Sequence, residues 1–140
     1  MSSRSVPAES ASIRILVVDD LEQWRRMVRS ILGAHKQLHV VGEAVDGLEA
    51  VQKAGELKPD VIVLDIGLPK VNGIEVANRI RQLAPGTKII FFTQNADADV
   101  RLAALSSGAQ GYVLKANAGQ ELLSAVETTL HDSVGSGSKV

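Results

Sequence analysis

Residues 61–65 read Val-Ile-Val-Leu-Asp: four consecutive apolar residues, three of them β-branched, closed by a carboxylate. Gly67 and Pro69 break the chain straight afterwards. An apolar run this short, bounded by turn residues, predicts a strand buried on both faces, which is the habit of a parallel sheet. Parallel α/β sheets place their chemistry just beyond the carboxyl ends of their strands. Asp65 stands at that place.

The rest of the chain repeats the rhythm. Apolar runs at residues 13–18, 38–41, 88–92 and 111–114 read as four further strands. Between them lie segments with helical spacing. Trp24, Met27, Val28, Ile31 and Leu32 make one apolar stripe, with Arg25, Arg26 and Arg29 off it and expected to face water. Asp46 is placed to cap a second helix carrying Leu48, Val51 and Leu57 inward. Gly73 opens a third with Ile74, Val76, Ala77, Ile80 and Leu83 as apolar positions. Asp97 or Asp99 caps a fourth, rich in alanine and so shallow in its packing, which Gly108 ends. Leu122, Leu123, Val126 and Leu130 define a fifth. Strand–helix alternation with short connections implies one α/β domain. Its parallel sheet carries helices on both faces, wound by right-handed crossovers. The expected divisions are a flexible leader at 1–12, the domain at 13–132 and a flexible Gly/Ser tail at 133–140.

Composition removes several function classes. A formal net charge of −1 argues against nucleic acid as a partner, because phosphate binding needs a basic excess. The chain has no cysteine, so disulfides, thiolate zinc sites and thiol catalysis are excluded, and a reducing, cytoplasmic setting is the expectation. No apolar run reaches the length of a membrane span, and residues 1–12 have no signal-peptide core. There is no P-loop, no GxGxxG turn and no DxDxT motif, so nucleotide-, dinucleotide- and one phosphatase-type chemistry lose their main signals.

What remains is a constellation at the strand ends: Asp19-Asp20, Asp65, Thr93 and Lys115. Singly, each has a plain structural explanation, as a helix cap or a solvated lysine. Together they fall at the same edge of one sheet. Three carboxylates in a small space raise one another's pKa unless a counter-charge is present. Oxygen ligands without His or Cys favour a hard cation, Mg2+ or Mn2+, with open positions for a phosphate. Lys115 adds a mobile cation, Thr93 a donor, and Asp65 an oxygen nucleophile. That is the set phosphoryl transfer needs.

The runs VVDD (17–20), VLDIGLP (63–69), FFT (91–93) and GAQGYVLK (108–115), with Gly73, resemble the receiver domain of two-component response regulators. They look most like receivers of the NarL/FixJ group. The resemblance covers about residues 13 to 130. It implies a flavodoxin-like (βα)5 fold with strand order 2-1-3-4-5. It also implies that Asp65 accepts a phosphoryl group from a sensor histidine kinase or a phosphotransfer protein. Asp20, Asp65 and the carbonyl of Gly67 would bind Mg2+, with Asp19 acting through water. Lys115 would pair with Asp65 and then with the phosphate. Thr93 would turn toward the phosphate and Tyr112 would follow inward, changing the surface of the fourth helix, fifth strand and fifth helix. No enzymatic activity beyond self-phosphorylation and slow dephosphorylation is implied.

This chain departs from the pattern at two points. Ala116 follows the lysine where many receivers have a proline. Gln94 follows Thr93 where Ala or Ser is usual, and its side chain is expected to shade the site. No DNA-binding element is expected from the residues after the fifth helix. The chain's expected outputs are therefore an unidentified downstream protein or a homodimer through the last two helices, as a stand-alone receiver. The alternatives are an interaction module independent of phosphorylation and the receiver part of a DNA-binding regulator.

Overall fold

The computed structural model describes residues 12–139, with side chains described to residue 129. Most of the expected leader, residues 1–11, lies outside the described residues. Five parallel strands, β1 (Ile13–Val18), β2 (Leu38–Ala44), β3 (Val61–Leu64), β4 (Lys88–Thr93) and β5 (Gly111–Leu114), form one sheet in the order β2-β1-β3-β4-β5. The helices are α1 (Glu22–Gly33), α2 (Gly47–Leu57), α3 (Gly73–Leu83), α4 (Ala98–Ser106) and α5 (Ala118–Lys139), with a 3-10 turn at Lys115–Asn117. None of the described helices is long and apolar enough to cross a membrane.

Side-chain alternation sorts the core into two layers. Leu16, Val18, Ile62, Leu64 and Phe91 face α2, α3 and α4 through Ala50, Ala54, Val76, Ile80 and Ala104. Ile15, Val17, Val61, Val63, Ile90 and Phe92 face α1 and α5 through Val28, Leu32, Leu122 and Val126. The four apolar residues of β3 are buried, two into each layer. Burial at about 1.5–3 kcal/mol for each large aliphatic side chain makes this strand a main source of cohesion.

Local chemistry sets the helix ends. Asp46 accepts from the Glu49 N–H at 2.8 Å at the start of α2. Asn72 accepts from Ile74 and Glu75 at α3. Asp97, rather than Asp99, accepts from Asp99 and Val100 at α4. Gly108, at φ +100°, takes the left-handed position after α4. By contrast α1 has Leu21 at its cap position and no side-chain cap. Asp19 and Asp20 are therefore not spent on closing that helix.

Several residues differ from expectation. Strand β2 runs on to Ala44, because past an irregularity opposite Ile15/Leu16 the segment Gly42–Ala44 pairs with Leu16–Val18. Met27 is 40% and Leu48 51% exposed. The buried stripes run through Val28 and Leu32, and through Gly47, Ala50 and Ala54, leaving each about a third of a turn aside. Leu83, on the last turn of α3, is also exposed. Arg25 does not face water but lies against β2, as described below. Helix α5 continues to Lys139, past Ser133 where the flexible tail was expected. No proline interrupts it, and glycine costs a helix only about 1 kcal/mol each.

Candidate functional site

The carboxyl ends of β1, β3, β4 and β5 deliver Asp19, Asp65, Thr93 and Lys115 to one edge of the sheet, all four buried. Asp20, next in the chain, is exposed at the mouth. One carboxylate oxygen from each of Asp19, Asp20 and Asp65 lies within 4.8 Å of the others. Lys115 bridges two of them. Its Nζ lies 2.6 Å from Asp19 Oδ2 and 3.2 Å from Asp65 Oδ2. The remaining oxygens are held by the backbone: Asp19 Oδ1 accepts from Leu21 N at 3.0 Å, and Asp65 Oδ1 from Gly67 N at 3.3 Å.

The electrostatics are those of an over-charged acidic site. Burial pushes the Asp19 carboxyl above its ordinary value, and the neighbouring Asp65 adds to the rise. Hydrogen bonding and charge from Lys115, with the Leu21 N–H, pull the other way. Three carboxylate oxygens beside one ammonium leave room for further positive charge. A hard divalent cation fits that donor set, which offers oxygen only.

The loop that carries Asp65 is shaped by close backbone packing. Gly73 N donates to Ile66 O at 2.7 Å. A Cβ on Gly73 would come within 2.3 Å of the Asp65 carbonyl oxygen, so only glycine lets α3 start this close to the acceptor loop. Gly67 is exposed in that loop. Lys70, left-handed at φ 72°, reaches Asp46 at 3.3 Å and so ties the loop to the cap of α2.

Thr93 and Tyr112 are not in contact with Asp65 through any hydrogen bond. Thr93 Oγ1 accepts from Asn95 N at 3.3 Å, while Tyr112 donates its hydroxyl to Asn95 O at 2.7 Å. Tyr112 is half-buried, packs on Phe91, and has the Arg101 guanidinium 6.0 Å from its ring centroid. Burial raises its phenol pKa, partly offset by Arg101. A groove of about 280 Å³ beside it is lined by Ala96, Arg101, Tyr112, Leu114, Asn117 and Glu121. Gln94 is exposed at the mouth of the site.

Two residues belong to the site that periodicity alone assigned elsewhere. Arg25 donates to the Asp19 carbonyl at 2.7 Å and pairs with Glu43 at 2.8 Å and Glu22 at 2.7 Å. It holds the acidic turn against β2. The signal was Glu43 in a strand edge opposite an arginine-rich helix, but sequence spacing does not register cross-element pairs. Trp24, expected as plain packing on α1, also presents its ring to Lys115, with Nζ 4.8 Å from the centroid.

The chain resembles known proteins along nearly its whole described length. A family model for the response regulator receiver domain matches residues 15–127. The protein-glutamate methylesterase/protein-glutamine glutaminase of Thermotoga maritima is 44% identical over 105 residues, 74% of this chain and 30% of that protein. Response regulator protein VraR of Staphylococcus saprophyticus is 32% identical over 120 residues, 86% of this chain and 57% of that protein. The chain thus spans from 30% to 57% of the length of these relatives. Among solved structures, the response regulator domain of Thermotoga maritima CheB superposes with a TM-score of 0.80 at 37% identity, covering 86% of this chain and 97% of that one. A LuxR-family two-component response regulator from Aurantimonas sp. gives 0.82 at 35% identity, covering 87% of each chain. With its sheet order and its acidic strand-end cluster, the chain belongs to the response regulator receiver domain family.

Proposed function

We propose that this receiver takes a phosphoryl group on Asp65. The observation that carries the reading is the Lys115 ammonium set between Asp19 and Asp65, 2.6 Å and 3.2 Å away, at the rim of an acidic triplet. Asp65 attacks the phosphorus of a phosphohistidine; the new O–P bond forms as the P–N bond breaks, and the imidazole leaves with the electron pair. Asp65 is held for this by the Gly67 N–H on its other oxygen. Lys115 is positioned to pair with the transferred group, and Thr93 is one strand away as a hydroxyl donor.

Asp20, Asp65 and the Gly67 carbonyl, with Asp19 through water, would hold Mg2+, and Mn2+ meets the same requirement. Bound there, the cation would neutralise charge on the phosphoryl oxygens. Phosphorylation adds a compact negative charge beside Thr93 and Tyr112 and biases the α4–β5–α5 face between two states. On this reading the chain is a phosphoacceptor switch rather than a turnover enzyme. It works in the cytoplasm, with residues 13–132 as its functional unit. Its upstream partner is a sensor histidine kinase or phosphotransfer protein. Its output is a downstream protein or a second copy of the chain meeting the α4–β5–α5 face, where Leu102 is 65% exposed.

The test is chemical. Incubation with acetyl phosphate and Mg2+ is expected to add the mass of one phosphoryl group, and Asp65→Asn to abolish it. An unmodified wild-type chain would overturn the reading in favour of a phosphorylation-independent module, and a gain that survives Asp65→Asn would overturn Asp65 as the acceptor.

A further inference from the structure

We propose that Trp24 is a positioning residue for Lys115: its ring face keeps the ammonium beside Asp65 when Asp19 is shared with a bound cation. The inference rests on the phosphoacceptor reading above and adds a residue to it.

Lys115 is a flexible four-carbon stem ending in three donors. Its side chain is 3% exposed. The two carboxylates meet it on one side. On another stand two rings, with Nζ 4.8 Å from the Trp24 centroid and 5.9 Å from that of Phe92. Trp24 is itself fixed, edge to face on Phe92, with centroids 6.0 Å apart and planes at 83°. The rings come from α1 and β4, so the cradle is anchored in two elements. Indole is the strongest aromatic partner for a cation, and desolvation strengthens the attraction.

Trp24 packs half-buried against the core beside Val28 and Leu32. Its ring face also covers the ammonium. The need for this follows from the two distances. Asp19 is the closer carboxylate, and it belongs to the oxygen cluster suited to a cation. Sharing Asp19 weakens its hold on Lys115 just when Asp65 reacts. A long side chain loosened on one side must be re-ordered at an entropic cost. The ring face is unchanged by cation binding, so its hold counts more in the reactive state than in the resting one.

The experiment compares Trp24→Leu and Trp24→Phe with the wild type. With saturating Mg2+ and acetyl phosphate, Trp24→Leu is expected to lower the maximal phosphorylation rate by roughly 3–10-fold. Trp24→Phe is expected to stay within about twofold, and the Mg2+ half-saturation to hold in both variants. The second readout is the proton NMR position of the Lys115 Cε methylene. An upfield ring-current shift is expected in the wild type, persisting when Mg2+ saturates the site, and lost in Trp24→Leu. A Trp24→Leu rate equal to wild type overturns the proposal, as does a methylene shift that is absent or disappears with Mg2+. If Trp24→Leu fails to fold, the wild-type shift with and without Mg2+ decides. A wild-type chain that accepts no phosphoryl group sinks the phosphoacceptor reading alone, and the shift still decides whether Trp24 holds Lys115.

Discussion

The phenol of Tyr112 is tied to the main-chain carbonyl of Asn95 by a hydrogen bond of 2.7 Å. The same residue's N–H reaches Thr93 Oγ1, and its side-chain oxygen accepts from Asp97 N at 2.9 Å, just ahead of α4. One residue therefore joins the end of β4, the cap of α4 and the edge strand β5. A movement of the Thr93 hydroxyl toward Asp65 would act directly on the turn that holds Tyr112. Tyr112→Phe is expected to raise hydrogen exchange at the amides of Asn95 to Val100 severalfold. Global stability should fall by only about 1 kcal/mol, the net value of one such bond. Unchanged protection would show that the phenol does not restrain the turn.

Lys115 and a divalent cation compete for the same carboxylates. The ammonium sits 2.6 Å from Asp19, inside the cluster that would hold the metal. Lys115→Met removes that repulsion, so Mg2+ is expected to bind roughly tenfold more tightly, the scale of one unit charge a few ångströms from a divalent ion in a wet site. Phosphorylation by acetyl phosphate should nevertheless fall sharply, because the charge that meets the phosphoryl oxygens is gone. Calorimetric titration with Mg2+ checks the first expectation and mass spectrometry the second. Weaker Mg2+ binding in the variant would mean that Lys115 organises the carboxylates more than it repels the ion.

Two aspartates should give stability opposite dependences on pH. Burial, with the charge of Asp65, raises the Asp19 pKa on folding. Such a group stabilises the fold fully below its unfolded pKa, and that contribution is lost as pH rises through the folded value. Asp46 is the reverse. The Glu49 N–H is the largest cause lowering its pKa, and Lys70 adds to it. Its contribution is present above the unfolded pKa and lost as pH falls through the folded one. In chelator, Asp19→Asn is therefore expected to be more stable than wild type at neutral pH, and Asp46→Asn to flatten the loss on the acid side. Melts from about pH 3 to about pH 7 decide it, since unperturbed carboxyls titrate near pH 4. A wild-type pH profile in both variants would remove these two groups as the cause.

The strands were legible because short β-branched runs between Gly, Pro and Asp have few alternatives, and β3 is found where its run predicts. Alternation implied parallel strands, whereas the order β2-β1-β3-β4-β5 came from family resemblance. Periodicity carries no information about which strand neighbours which. The convergence of Asp19, Asp20, Asp65 and Lys115 was readable from their common position after strands. The Lys115–Asp65 pair, expected from family resemblance, is found at 3.2 Å. The closer contact of Lys115 with Asp19 was not foreseen, because it depends on how far a lysine stem reaches across the sheet. Arg25 was misread for a related reason. Helical spacing separates an apolar face from a polar one, but it cannot see that the polar face meets Glu43 of β2. Met27 and Leu48 failed at the flanks of their stripes, where a third of a turn separates contact from solvent.

Gly73 offers the sharpest test of how the acceptor loop is built. A Cβ there would lie 2.3 Å from the Asp65 carbonyl oxygen and 2.6 Å from Ile66 Cα, both main-chain atoms that cannot rotate away. Gly73→Ala must therefore move either the start of α3 or the backbone of Asp65 itself. Overpacking of this kind costs about 1–3 kcal/mol. Helix propensity works in the opposite direction by up to about 1 kcal/mol, so the net loss of stability is expected to be modest. The effect on the site should be larger, since displacement of the reacting oxygen by about 1 Å can cost about a hundredfold in rate. Gly73→Ala is therefore expected to melt close to wild type yet accept a phosphoryl group from acetyl phosphate at least tenfold more slowly. Chemical denaturation and the rate of mass gain measure the two. A variant that phosphorylates at the wild-type rate would show that the loop absorbs the methyl group without moving Asp65.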